Sequence, residues 1–327
     1  MTVISFSDQT LAEARRFNRK LAWMPRFKIR NRFTPPVIQA LLRLSQLGGR
    51  RKLERHGLTI ERRVINADKL RVPVRIIRPA GPVKGLVFDI HGGGWVIGNA
   101  QMDDEQNAAM AINCNVAVVS VDYRLFGSAS MQALMDDVLA AARWLLNNGL
   151  PEYAGLPVII VGESAGGHLA AATLLRLKAW PALLDRIKGV VLYYGVYDLT
   201  GTGSVRSAGP ETLLLDGPGM VPAFRMLTPG LRDDERKQAP LSPLYGDLRG
   251  LPPAMMVVGT LDPLRDDTLE MAERWRAVSD VEAHLVPDAP HGFIHFPTRM
   301  ADQVLVRSRE WIAERLQVVS FIRSDGT

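Results

Sequence analysis

The residues Gly162-Glu163-Ser164-Ala165-Gly166-Gly167 follow the apolar run Leu156-Pro157-Val158-Ile159-Ile160-Val161 and lead into an alanine-rich stretch. A buried strand that ends in Gly-x-Ser-x-Gly and feeds a helix is the mark of a nucleophile elbow. The turn is so tight that Ser164 should hold a positive φ, and small residues at 162 and 166 let strand and helix pass closely. A serine hydroxyl is a poor nucleophile until a base accepts its proton and a third group orients that base. Nucleophilic chemistry at Ser164 therefore needs a histidine and a carboxylate from elsewhere in the chain.

The chain holds six histidines. Reactive groups of a doubly wound sheet gather at the C-terminal ends of its strands. His291 meets that condition, five residues after the apolar segment Val281–Val286. His295 is its nearest competitor, but it falls later and precedes Phe296-Pro297. His284 lies within a strand, and His168 begins the elbow helix. The acid should leave the end of the preceding strand, where Asp262 stands before a proline that opens a helix. Asp266 and Asp267 are alternatives, although carboxylates at a helix N-terminus also complement the helix dipole. The order Ser164, Asp262, His291 matches the Ser…Asp…His order of α/β-hydrolases.

A third block, His91-Gly92-Gly93-Gly94-Trp95, closes the predicted strand Val83–Ile90. Acyl transfer builds an oxyanion that needs preorganised donors, and consecutive glycines let backbone N–H groups turn toward one point without Cβ obstruction. With the Ala165 N–H they would form such a hole, each donor contributing roughly 10²–10³ in rate. His91 is expected to pin this loop by a hydrogen bond, and Trp95 is assigned to substrate binding.

The elements that must position these groups can be read from periodicity. Residues 8–22 and 34–47 carry helical spacing, which Gly48-Gly49 then breaks. Strands are predicted at Leu58–Val64, Val72–Ile77 and Val83–Ile90. Continuous apolar runs follow at Val116–Val121, Leu156–Val161, Gly189–Tyr194 and Ala254–Val258, as suits strands covered on both faces. Helical stretches at 131–148, 165–178, 265–278 and 300–317 alternate with them. The fold class is thus α/β, a mostly parallel doubly wound sheet of about eight strands. From about 198 to 250 a Gly-, Pro- and Thr-rich stretch interrupts the rhythm and is predicted to pack over the C-terminal edge of the sheet.

Composition narrows the function classes. At 327 residues and 47% hydrophobic, the chain can bury a large core. A single cysteine, Cys114, excludes an internal disulfide, suits a reducing compartment and is expected to be a small buried residue. No apolar run reaches the roughly 18 residues that cross a bilayer. The N-terminus has no basic segment followed by an apolar one. A soluble, cytoplasmic protein without membrane association is expected. The net charge of +6 is concentrated around Arg15, Arg16, Arg19, Lys20, Arg26, Lys28, Arg30 and Arg32. No zinc spacing or RNA-binding aromatic signature accompanies it, so nucleic acid is not an expected partner.

Together these blocks, with Asp122-Tyr123-Arg124-Leu125, Ser242-Pro243-Leu244-Tyr245, Asp262-Pro263-Leu264-Arg265-Asp266 and His291-Gly292-Phe293, resemble the hormone-sensitive-lipase-like carboxylesterases of the α/β-hydrolase fold. The likeness spans about residues 58–318. It implies a catalytic domain over 58–327, with a helical cap built from residues 1–57 and the insertion near 198–250. It further implies a serine esterase acting on short-acyl esters, with no cofactor or metal, and it admits a homodimer. Gly93 and Gly94 would join Ala165 as oxyanion donors. Two departures stand out. The Asp-Tyr-Arg-Leu block is followed by Phe126-Gly127-Ser128-Ala129-Ser130-Met131-Gln132 where such enzymes usually carry Ala-Pro-Glu. Glu163 also stands where Asp is commoner, and the longer carboxylate should alter the hydrogen bonding behind the elbow. Lactones and acetylated sugars are alternative substrates for the same three residues. A non-catalytic receptor on the same fold is the rival from another class.

Overall fold

The computed structural model describes residues 4–28 and 34–324. Arg30 and Arg32 of the basic run lie outside the described residues. Eight strands form one sheet: β1 (Thr59–Ala67), β2 (Leu70–Arg78), β3 (Gly85–Ile90), β4 (Val116–Val121), β5 (Val158–Glu163), β6 (Ile187–Tyr193), β7 (Ala254–Gly259) and β8 (Val281–Val286). Their spatial order is β1-β2-β4-β3-β5-β6-β7-β8. β1, β2 and β4 pair antiparallel, and every pairing from β4 across to β8 is parallel. The carboxyl ends of β3, β5, β7 and β8 consequently share one edge of the sheet, the edge where reactive groups of such folds collect.

Among the described residues, twelve α-helices accompany the sheet. They are α1 (Asp8–Leu21), α2 (Thr34–Ser45), α3 (Gly49–Arg55), α4 (Asp104–Cys114), α5 (Met131–Leu146), α6 (Ala165–Leu177), α7 (Pro181–Leu184), α8 (Gly203–Arg206), α9 (Met220–Leu227), α10 (Asp233–Arg236), α11 (Arg265–Arg276) and α12 (Arg299–Ser324). Alternate residues of the central strands enter two separate cores. Phe88, Ile160, Leu192 and Met256 join α5, α6 and α11 on one face, while Val87, Val161, Val191 and Val257 join α4 and α12 on the other. This two-sided cover explains why β3 to β7 read as continuous apolar runs rather than alternating ones.

Several helices lie outside the predicted stretches, the short α7 and the three helices α8, α9 and α10 of the 198–250 stretch among them. Residues 104–114 form α4, a helix weak in amphipathic spacing because its buried positions include the polar Asn107 and the small Ala108 and Ala111. The chain also resumes helix at Gly49 after Gly48 takes a left-handed φ of 81°. The spacing of α2 does not mark a core face, since Val37, Leu41, Leu44 and Leu47 are all exposed. Cys114 is buried, and burial pushes its thiol up to about 11. Among the described residues, no helix is long and apolar enough to cross a membrane.

Segments outside the sheet are tied to the edge that carries the strand ends. α1 lies against the loop after β8, where Asn18 donates to the Asp288 carbonyl at 2.6 Å and Phe17 packs on Phe296. Phe27 pairs with the 198–250 stretch through its N–H to the Leu214 carbonyl at 2.6 Å. Gln39 of α2 grips both backbone groups of Gly98. His168 in the first turns of α6 donates from Nε2 to the Leu241 carbonyl at 2.8 Å and accepts the Trp95 indole N–H at 3.3 Å. One ring thereby joins the elbow helix, the glycine block and the 198–250 stretch.

Two outcomes follow. Trp311 of α12 is fully buried with its ring against Gly189 of β6, where an added Cβ would sit 2.6 Å from the indole. Trp311→Ala should lower unfolding free energy by about 3–5 kcal/mol, read as a lower urea midpoint at unchanged slope. For His168, burial pushes the imidazole down from 6.5 to about 4 despite the Leu241 bond. The unfolded chain therefore binds this proton first as pH falls. The stabilisation is complete above about pH 6.5 and drains away toward pH 4, on the order of 3 kcal/mol in all. Wild-type stability minus that of His168→Gln should decline across this window, and a flat difference would exclude the linkage.

Candidate active site

Ser164 follows directly on β5 with φ 52° and ψ −118°, the strained conformation expected of an elbow apex. Its hydroxyl donates to His291 Nε2 at 2.9 Å, and His291 Nδ1–H donates to Asp262 Oδ2 at 2.8 Å. The tautomer follows from the partners, since an ionised carboxylate can only accept. The second oxygen of Asp262 accepts the Leu264 N–H at 2.8 Å, so the acid is held from both sides and its side chain is fully buried. The structure thus brings the three sequence-assigned residues into one hydrogen-bonded line.

The competing acids are committed elsewhere. Asp267 accepts from the N–H groups of Tyr197 and Asp198 and from Thr202 Oγ1, fixing the loop after β6. Burial pushes its carboxyl up to about 7 in spite of these bonds. Asp266 accepts the Ser204 N–H at 2.7 Å.

The glycine block bends sharply at the end of β3. Gly93 has φ 100°, and a Cβ there would fall 2.2 Å from the Ile97 carbonyl oxygen. Only glycine fits that position. The Val96 and Ile97 N–H groups both bond the Gly93 carbonyl, closing the turn. His91 stacks on Tyr123 with ring centroids 4.2 Å apart and has Nδ1 2.9 Å from the Gly92 carbonyl. The Tyr123 hydroxyl donates to the His91 carbonyl at 2.8 Å. The atypical 126–132 loop is anchored to the same block, since the Phe126 N–H bonds the Trp95 carbonyl at 2.7 Å. Ser130 then caps α5. Ala165 opens α6, so its N–H is one of the helix donors without an intrahelical partner.

A cavity of about 180 Å³ lies beside Ser164 and His291. Gly93 and Gly94 form part of its wall, while Trp95, Met220 and Phe224 make it apolar. The Trp95 indole is buried and its N–H is spent on His168, so it can offer a bound molecule only its ring surface.

Three features behind the triad escaped assignment from sequence. Tyr194, with φ 40°, sets its ring 4.7 Å from the His291 ring and donates its hydroxyl to Glu163 Oε2 at 2.8 Å. Glu163 also accepts from His295 Nε2 at 2.6 Å. Asp103 Oδ1 lies 3.9 Å from the same nitrogen. Burial would raise the Glu163 carboxyl, but His295, through its charge and hydrogen bond, and the Tyr194 hydroxyl hold it at about 2. Burial would lower His295, yet Glu163 and then Asp103 lift it to about 9. Burial drives Asp103 well above the carboxylate range, with the Glu163 charge adding to the effect. Asp103, Glu163 and His295 bring ligand atoms within 4.8 Å of one another, as a metal set would. In the same cluster the two carboxylates favour the charged form of His295. The one available signal was the unusual Glu163 itself.

A family model described as alpha/beta hydrolase fold matches residues 87–295. The chain is 35% identical over 252 residues to carboxylesterase NlhH of Mycobacterium tuberculosis, covering 73% of this chain and 76% of that one. It is 29% identical over 259 residues to esterase LipI of the same species, covering 72% and 79%. Among solved structures, esterase LipW of Mycobacterium marinum superposes with a TM-score of 0.80 at 26% identity, covering 91% of this chain and 95% of that one. An esterase from the bacterial hormone-sensitive lipase family gives a TM-score of 0.74 at 25% identity, covering 95% and 100%. By the family model that matches it and by its likeness to these proteins, the chain belongs to the hormone-sensitive-lipase-like esterases of the α/β-hydrolase fold.

Proposed function

We propose that this carboxylic ester hydrolase cleaves small esters through an acyl-enzyme on Ser164. The observation that carries the reading is the unbroken line from Ser164 Oγ to His291 to Asp262, with both hydrogen bonds under 3 Å. Ser164 Oγ attacks the ester carbonyl carbon while His291 Nε2 takes its proton. The tetrahedral intermediate collapses, its C–O bond to the alcohol breaks, and His291 returns the proton to the departing oxygen. Water then attacks the acyl-Ser164 carbonyl with His291 again as base, releasing the carboxylic acid and restoring the serine. Asp262 keeps the imidazole in its productive tautomer and stabilises the imidazolium. The N–H groups of Gly93, Gly94 and Ala165 receive the oxyanion, the first two from a turn held rigid by its own bonds and the third from a helix N-terminus.

Residues 1–57 and the insertion at 198–250 act as a cap in this reading. Phe27 meets Leu215 beside the cavity, and Met220 and Phe224 of α9 close it. A space of about 180 Å³ is smaller than the ~300–1,000 Å³ of typical small-ligand pockets, which supports short acyl groups. The lone buried cysteine supports a cytoplasmic setting.

Ser164→Ala should fold as the wild type does and lose p-nitrophenyl acetate turnover on the order of 10⁶-fold in kcat. It should also fail to react with a fluorophosphonate that labels the wild type. Undiminished turnover would refute the assignment, and an unlabelled, inactive wild type would favour a receptor. Across a p-nitrophenyl ester series, kcat/KM should peak between acetate and butyrate. Phe224→Ala should move the peak to longer chains, and a long-chain maximum in the wild type would overturn the short-acyl preference.

A further inference from the structure

Beside the Ser164–His291 pair the chain repeats the same pairing one step over. Glu163 and Ser164 are consecutive on the elbow, and His295 and His291 lie four residues apart on the loop after β8. Gly292, with φ 71°, opens the 3₁₀ turn Phe293–His295 that brings the second imidazole round. The same two segments are thus joined twice, once by Ser164 to His291 and once by Glu163 to His295. We propose that the Glu163–His295 ion pair is a positioning clamp that holds His291 in register with Ser164 and cancels the charge of Glu163 as seen by the base. This rests on the acyl-enzyme mechanism above.

The carboxylate touches every part that must be aligned. Oε2 anchors the Tyr194 hydroxyl, and the Tyr194 ring packs on His291. Oε1 lies under the glycine block, where a Cβ on Gly92 would come within 2.8 Å of it. Aspartate is shorter by one carbon–carbon bond, about 1.5 Å, and would withdraw the carboxylate from a 2.6 Å contact. The length of Glu163 and the presence of His295 are therefore one device.

The charges around the pair come from several elements. Asp89, next to last in β3, accepts from Asn107 and Ser120, while Asp103 and Asp104 lie at the start of α4. Asp104 is paired with Arg75 of β2. Tyr123 and His91 lie on the glycine-block side, and His291 faces Asp262 and Tyr194. Of the cations at this centre, His295 makes the direct bond to Glu163. Gln106 Nε2 lies 3.0 Å from His295 Nδ1 and as placed donates to it; turning the amide over would present Oε1 to a protonated Nδ1. Without His295, the buried carboxylate would face His291 unneutralised.

The test uses the full-length enzyme and p-nitrophenyl acetate. His295→Gln should move the acid limb of the kcat/KM profile to higher pH, and Glu163→Gln should move it to lower pH, each by roughly 0.5–1 unit. The double variant should fall between them. Each single change should reduce kcat at least about tenfold with KM changed less than about twofold, and the double should lose no more than the worse single. Shifts of the same sign, unmoved limbs or fully additive losses would overturn the clamp. Should a glutamine variant not fold, Glu163→Asp should reproduce the kcat loss. Imidazole nitrogen NMR of the wild type at pH 7 should show His295 with both nitrogens protonated, and a neutral ring would equally overturn the proposal. The NMR readout needs no turnover, so failure of the clamp is distinguishable from failure of the hydrolytic mechanism, which Ser164→Ala tests.

Discussion

The site depends on how closely the first turn of α6 passes the end of β3. A Cβ on Gly166 would lie 1.9 Å from the Ile90 carbonyl oxygen, and one on Gly162 would lie 2.6 Å from the Gly166 carbonyl. No side chain fits either gap. Because β3 and β5 are neighbours in the sheet, this approach sets the glycine block beside Ser164. The strain at Ser164, in a conformation that ordinarily costs about 1–3 kcal/mol, is sustained by buried apolar packing of α6 and β5 on either side.

A second constraint is electrostatic. Ser164 sits beside a group of ionisable residues in which Asp89, Asp103 and Glu163 are buried and His295 is open to solvent on one side. Unpaired charges in such a place cost several kcal/mol each. The chain meets the difficulty in three ways. Burial pushes Asp103 well above the usual carboxylate range, two side-chain hydrogen bonds work against burial at Asp89 and leave it at about 6, and Glu163 is paired with His295. His291 is thereby flanked by Asp262 on one side and, through Tyr194, by the Glu163–His295 pair on the other.

The N-terminal segment and the 198–250 stretch supply what the sheet lacks, a wall over the strand ends. Both enter the apolar cores, Leu199, Val205, Phe224 and Leu227 on one face of the sheet and Ala14 and Leu53 on the other, and are further tied by hydrogen bonds to backbone groups: Phe27 to Leu214, Gln39 to Gly98, and His168 to Leu241. Each attachment lands on or next to a loop that also bears a site residue. Cavity shape is therefore coupled to the same turns that aim the serine and the glycine amides.

Much of this was legible in the residues themselves. The continuous apolar runs marked the parallel strands because both faces of that sheet are buried. Gly-x-Ser-x-Gly and the triple glycine marked candidate positions because each answers a local backbone demand, and the histidine after β8 because it stands at a strand's carboxyl end. α4 was missed because its buried face is built from Asn107 and alanines, which carry little hydrophobic period. The apolar stripe of α2 pointed to no core because helical spacing says which residues share a face, not what covers it. His295 read as a competitor to His291, and its place beside Glu163 followed only from two loops 132 residues apart meeting in space. Chain order alone singled out Ser164, His291 and Asp262 as the candidates, since each stands at a turn that its own segment forms. Which imidazole met which oxygen, and what neutralised the charge behind them, was decided by packing across the sheet, where distance and burial rather than residue type set the pairings.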